Sequence, residues 1–231
     1  MAKSDNYLLI PDLQIPFHHP KALEHCKAVA KEYNVPPENV YNMGDEVDEY
    51  FGSQWKKSPD TNYSATQEIK DSKDEIRRWG AVFPKMKLCV SNHGIRWARK
   101  FCDAEIPSQL MIPYKDLIGA PSGWVWRDEW VVNCKYRFRC IHGMGYSGVN
   151  GARNAANDAA MSTAIGHLHA FAGINFIKTQ GSEKMIWSFN VGAIIDDTAY
   201  AFEYSKYSRN KSINGVGIIL SGGKTPLFIP L

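Results

Sequence analysis

A β-α-β signature in residues 7–45 limits the architecture more than any other feature of this sequence. The apolar run Tyr7-Leu8-Leu9-Ile10 reads as a buried strand over 7–11. PKALEHCKAVAKEY (20–33) follows, opening on Pro20 and repeating Ala22, Leu23, Cys26, Val29, Ala30 and Tyr33 at helical spacing. Val-Pro-Pro-Glu-Asn ends that helix, and NVYNMGD reads as a second strand running into a glycine turn. Strands joined through a helix lie parallel with a right-handed crossover, so a sheet must carry this helix on one face.

The pattern continues through the first half. Ser64 with Gln67 forms a capping-box signal for a helix reaching about Trp79. MKLCV (86–90) reads as a third strand, and segments 95–102 and 107–118 read as helical. The second half changes character. WVVNC, YRFRCI, TAIGH, AFAGINFI, KMIWSFNV, AYAFEYS and GVGIIL are short strand-like runs separated by Gly, Asn, Ser and Asp. No repeat, low-complexity tract or linker divides the chain, so residues 1–231 are expected to form a single domain, α/β in its first half and β-rich in its second.

With 44% hydrophobic and 22% charged residues the chain has the composition of a folded domain rather than a disordered one. No apolar run approaches the ~20 residues of a membrane helix, and the N-terminal run is too short for a signal-peptide core. The expectation is a cytoplasmic protein with no membrane partner. Five cysteines without a C-x-x-C point to buried thiols rather than disulfides or a zinc cluster. A net charge of +3 leans weakly toward anionic partners.

Polar residues recur where the predicted strands end. Asp12 and Gln14 follow the first, Asp45 and Asp48 sit in GDEVD after the second, and Asn92 and His93 follow the third. His142 ends YRFRCIH, and His167 and His169 sit in GHLH. In open α/β sheets ligands bind at the carboxyl ends of strands. Five segments delivering Asp, Asn and His to one edge form a metal-site pattern.

The order D-x-Q, G-D-x-x-D, N-H, H, G-H-x-H resembles the calcineurin-like metallophosphoesterases, whose pattern is D-x-H, G-D-x-x-D, G-N-H-[DE], H, G-H-x-H. The matched segments span residues 12–169. The resemblance implies a four-layered α/β/β/α metallophosphoesterase sandwich with mixed sheets. It implies two divalent ions, roughly 3.5–4 Å apart and bridged by a carboxylate. One ion would take Asp12, Gln14, Asp45 and His169, and the other Asp45, Asn92, His142 and His167. Mn²⁺ is the expected metal, with Mg²⁺, Fe, Ni²⁺ or Zn²⁺ as alternatives. A metal-activated hydroxide would attack phosphorus. His93 would stabilise the phosphoryl charge or protonate the leaving oxygen, and the carboxylate of Asp48 would orient His93 and raise its pKa.

This chain departs from the pattern at three positions. Gln14 takes a seat usually held by histidine, and its harder amide oxygen favours Mn²⁺ or Mg²⁺ over Zn²⁺. Ser91 replaces the glycine before Asn92, and Gly94 replaces the acidic residue after His93, which is expected to widen the site. Arg96, Arg99 and Lys100 share one helix face at spacings of three and four. Arg96 and Arg99 are therefore candidate substrate-binding residues, although a solvated face would show the same spacing. Trp55-Lys56-Lys57 interleaves an aromatic with basic residues, but a surface loop is the plainer reading. Trp124, Trp126 and Trp130 read as packing or a lid.

The compact size and motif order resemble small phosphoesterases of the kind carried by bacteriophages. The expected activity is a phosphodiesterase or nuclease acting on DNA, RNA or nucleotides. A phosphomonoesterase or nucleotide diphosphatase is the alternative within the family. A metal-bound scaffold without hydrolysis is the alternative of another class.

Overall fold

The computed structural model describes residues 4–53, 63–178, 180, 183–199, 201–202 and 209–231. The fold is α/β, with two mixed sheets and, among the described residues, five α-helices. The first sheet has the order β11-β10-β1-β2-β3-β4. In it β1 (Tyr7–Ile10), β2 (Val40–Asn42), β3 (Lys85–Cys89) and β4 (Gly123–Arg127) run parallel. Antiparallel β10 (Gly215–Leu220) and β11 (Thr225–Pro230) extend its other edge. The second sheet has the order β5-β6-β7-β9-β8. Its middle strands β6 (Phe138–Ile141), β7 (Ser162–Ile165) and β9 (Ile186–Asn190) are parallel. Its edges β5 (Glu129–Val132) and β8 (Gly173–Ile177) are antiparallel to their neighbours.

The alternation within β1 sets the layering. Leu8 and Ile10 point into an apolar cluster with Leu23, Cys26 and Val29 of α1 (Ala22–Glu32) and Ile76 and Trp79 of α2 (Ala65–Val82). Tyr7 and Leu9 point the other way, into a cluster with Phe138, Cys140, Ala164 and Phe189 of the second sheet. Period-two side-chain direction is what lets one four-residue strand serve both clusters. On the far side of the second sheet, Ala152 and Ala155 of α5 (Gly151–Ala159) pack on Ile165. All five cysteines are free.

The β-α-β unit, the parallel pairing of β1 with β2 and the third strand lie where the sequence places them. Ser64 caps α2 by accepting from the Gln67 amide at 3.1 Å, while the Gln67 side chain turns to Asp71 instead of back to the cap. Segment 107–118 is not one helix. Pro107 and Pro113 take extended conformations, leaving a 3-10 turn and the single helical turn α4 (Tyr114–Leu117). The segment 95–102 does form a helix, α3 (Arg96–Asp103). Of the AYAFEYS run, Ala201 and Phe202 lie in a 3-10 turn rather than a strand, and 200 and 203–205 fall outside the described residues. Trp55, Lys56 and Lys57 also fall outside them. Strand β4 contains Trp124 and Trp126; Trp124 is buried and Trp126 Nε1 donates to Glu46 Oε1 at 2.9 Å. Trp130, in β5, donates Nε1 to the Leu88 carbonyl at 2.9 Å. All three tryptophans therefore pack. No helix among the described residues is long and apolar enough to cross a membrane.

Candidate metal centre

Both sheets deliver polar side chains to the same edge. Asp12 continues β1 and is tied to the second half of the chain by the Ile194 amide, which donates to its carbonyl at 3.0 Å. The amides of Leu13 and Gln14 both donate to the Asp45 carbonyl, at 3.1 and 2.8 Å, so the first two ligand-bearing loops are stitched together. From the second sheet, His142 follows β6, and His167 and His169 follow β7.

Two groups of side-chain atoms result, each able to hold a metal ion. Asp12, Asp45 and His169 form one, Asp45, His142 and His167 the other, with ligand atoms within 4.8 Å of one another in each. Asp45 belongs to both. Asp12 is fully buried and Asp45 and His142 are each 1% exposed, so the carboxylates have almost no water to solvate them. Burial works against the Asp45 charge, but the His142 and His93 rings and the Ser91 hydroxyl hold its pKa below the usual carboxylate range.

The donor chemistry fits a cation. His142 Nδ1 donates to the Met43 carbonyl at 2.9 Å, which leaves Nε2 as a lone-pair atom in the neutral ring. That Nε2 lies 2.7 Å from Asn92 Oδ1 and 3.4 Å from Asp45 Oδ2, both acceptors. His169 Nε2 sits 2.9 Å from Asp12 Oδ2 and 3.3 Å from Gln14 Nε2. One ring nitrogen offers either a proton to the carboxylate or a lone pair to the amide, not both. Gln14 Oε1 is buried and has no hydrogen-bond partner among the described residues, the condition of an oxygen left for a metal. Burial opposes a charge on His169, but the bond to Asp12 together with the charges of Asp12, Asp45 and Asp48 outweighs it and raises its pKa. At His167 burial, with the neighbouring His142, lowers it.

The backbone is bent to make this arrangement. Gln14 and Asp45 have φ of 50° and His167 of 67°, in the left-handed region that costs a non-glycine residue about 1–2 kcal/mol. Three of the left-handed non-glycine positions thus fall on candidate ligands.

His93 stands beside this group, with Nε2 3.7 Å from Asp45 Oδ2. Its expected partner is present through a different atom. Nδ1 donates to the Asp48 carbonyl at 2.8 Å, while the Asp48 carboxylate lies 3.7 Å away and pairs with Arg96 at 2.9 Å. Burial, not the carboxylate, dominates, and pushes the His93 pKa down to about 4. The expected rise is therefore reversed. Burial raises Asp48 to about 7 despite the Arg96 charge. Arg99, one turn beyond Arg96 in α3, is exposed.

Sequence reasoning passed over two supporting groups. Ser91 Oγ accepts from the Asp45 amide at 2.9 Å and the Gly94 amide at 3.3 Å. The hydroxyl thus fixes the turn on which Asp45 sits, and its replacement of glycine before Asn92 was the visible signal. Glu46 is buried and accepts from the Tyr114 hydroxyl at 2.8 Å. A Cβ at Gly94 would lie 3.3 Å from that hydroxyl, so Tyr114 fills the space expected to widen the site.

Glu49 carries a testable pH dependence. It accepts from the Trp97 amide at 2.9 Å, but its Oε1 has no partner among the described residues, and burial pushes its pKa to about 8 from 4.5. Between those values the folded chain holds a proton that the unfolded chain has released. Stability from this group is complete below about pH 4.5 and is lost as pH rises through about 8. The midpoint of thermal unfolding in metal-free buffer is expected to fall as pH rises from about 4.5 to about 8 and to level off above that. Glu49→Gln should flatten that fall, and an equally steep fall in the variant would refute the assignment.

No protein-family model matches this sequence, and no curated protein matches it.

Proposed function

We propose that the chain is a calcineurin-like metallophosphoesterase with two divalent metal ions, Mn²⁺ foremost, that hydrolyses phosphodiesters of nucleic acids or nucleotides. The observation that carries this reading is the sharing of buried Asp45 between two ligand groups, each completed by histidines from the other sheet. Asp12, Gln14, Asp45 and His169 would hold one ion, and Asp45, Asn92, His142 and His167 the other. Bound there, such ions supply hydroxide near neutral pH and offset the charge of a phosphoryl group. The two sheets, with α1 and α2 outside one and α5 outside the other, are compatible with an α/β/β/α sandwich.

The protein's own groups divide the remaining work. Asp12 and Asp45 provide the negative charge that selects cations. The Met43 carbonyl takes the Nδ1 proton of His142, so that in the neutral ring Nε2 carries the lone pair. His93 lies beside Asp45 and is bonded to Arg96, whose guanidinium would meet the phosphoryl oxygens.

The protein incubated with Mn²⁺ is expected to cleave bis-p-nitrophenyl phosphate and single- or double-stranded DNA, and p-nitrophenyl phosphate far more slowly. Preference for the monoester would select the phosphomonoesterase or diphosphatase alternative. Metal binding without turnover of any of these would select the scaffold.

A further inference from the structure

Arg96 lies outside both ligand groups but against their wall. Its Nη1 donates to the Asp48 carbonyl at 2.8 Å and to Asp48 Oδ1 at 2.9 Å, and its Nη2 lies 2.7 Å from His93 Nε2. A guanidinium carries only N–H donors, so Nη2 donates and His93 Nε2 accepts. On the other side of the ring Nδ1 faces the Asp48 carbonyl at 2.8 Å, and a carbonyl only accepts. Both ring nitrogens are thereby assigned: the proton is on Nδ1 and the lone pair on Nε2. This is the opposite of the tautomer a free neutral histidine side chain prefers. Asp48 anchors both partners, through one carbonyl shared between His93 and Arg96 and one carboxylate oxygen on Arg96. The side chains of Arg96 and Asp48 are 14% and 3% exposed, so the triad is fixed by packing and not by solvent.

We propose that Arg96 locks His93 in the Nδ1–H tautomer, so that the pair presents a guanidinium charge, and not an imidazole proton, to a bound phosphoryl group. His93 is then a positioning residue that holds Arg96, and Arg96 is the group that touches substrate. Two of the four Nη hydrogens serve Asp48 and one serves His93, which among the described residues leaves one Nη2 hydrogen for an incoming oxygen. The tautomer lock stands on these contacts alone; its catalytic consequence rests on the phosphoesterase reading.

The lock is tested by ¹⁵N nuclear magnetic resonance of the metal-free full chain labelled at its seven histidines. The His93 signals are identified by their loss in His93→Gln. The expected result is a neutral His93 ring protonated at Nδ1 with a bare, hydrogen-bonded Nε2; in Arg96→Lys the Nε2 resonance should move. A wild-type ring protonated at Nε2 overturns the proposal, and this measurement needs no variant that folds poorly. The consequence is tested on bis-p-nitrophenyl phosphate with Mn²⁺. Arg96→Ala, His93→Ala and the double variant should each lose kcat by a similar factor, on the order of 10²-fold, because the pair works as a unit. Losses that multiply in the double variant overturn it. If wild type cleaves no phosphoester, the functional reading falls, while the tautomer measurement still decides the lock.

Discussion

Asp45→Asn is expected to abolish the response of the protein to divalent metal. In wild type, Mn²⁺ at about 100 times its dissociation constant should stabilise the fold by about 2.7 kcal/mol. For a chain of this length that raises the unfolding midpoint by roughly 5–10 °C. Asp45 is the residue common to both ligand groups, so its loss removes a charged donor from each at once. Asparagine keeps an oxygen for the His93 amide, which donates to Asp45 Oδ1 at 3.1 Å, so the turn itself should survive. The variant should therefore fold, show little or no Mn²⁺-dependent shift, and lose more than ~100-fold in turnover, beyond what removing a supporting residue costs. The check is thermal unfolding with and without Mn²⁺, paired with metal content by mass spectrometry. An undiminished shift in Asp45→Asn would remove Asp45 from the centre and with it the shared-carboxylate reading.

Gly44→Ala should be strongly destabilising for the gain of a single methyl group. Gly44 has φ +100°, and a Cβ there would fall 2.6 Å from His142 Nδ1 and 2.8 Å from Ser91 Cβ. His142 cannot swing aside, because it is 1% exposed and its Nδ1 is bonded to the Met43 carbonyl. The backbone cost of about 1–2 kcal/mol and the overpacking cost of about 1–3 kcal/mol then add. A loss near 3 kcal/mol corresponds to a fall of roughly 6–12 °C in the unfolding midpoint. Gly145→Ala separates the two causes. Gly145 also has positive φ, +88°, but nothing lies within 4 Å of its would-be Cβ. It should show the backbone cost alone. Equal losses at the two positions would mean that contact with His142 contributes nothing.

What the sequence makes legible follows from how each feature is encoded. The β-α-β unit is readable because Leu8, Ile10, Leu23, Cys26 and Val29 are large or apolar at strict spacing, and all enter one cluster. Helix α5 is not, because GARNAANDA buries only glycine and alanine, which leave no apolar stripe to detect. Strand β4 hides its period among tryptophans whose ring nitrogens bond to Glu46 and to the Phe83 carbonyl. The candidate site is legible as an ordered set of Asp, Asn and His at strand ends. Its supports are not, since the Met43 and Asp48 carbonyls that orient His142 and His93 belong to the backbone and leave no trace in side-chain identity. The Arg96–Asp48 pairing spans 48 positions and depends on how α3 enters the fold, which local pattern does not carry.

The origin of the ligands in two sheets has a consequence for folding kinetics. Each complete group takes a carboxylate from residues 12–45 and an imidazole from residues 142–169, and Asp128 sits between β4 and β5 where the chain passes from one sheet to the other. Neither half can assemble a coordination shell before the sheets have docked. A cation bound there would therefore be held only once the sheets have met, as a rivet set once the plates are aligned. Its binding energy would then lengthen the lifetime of the native state rather than speed its formation.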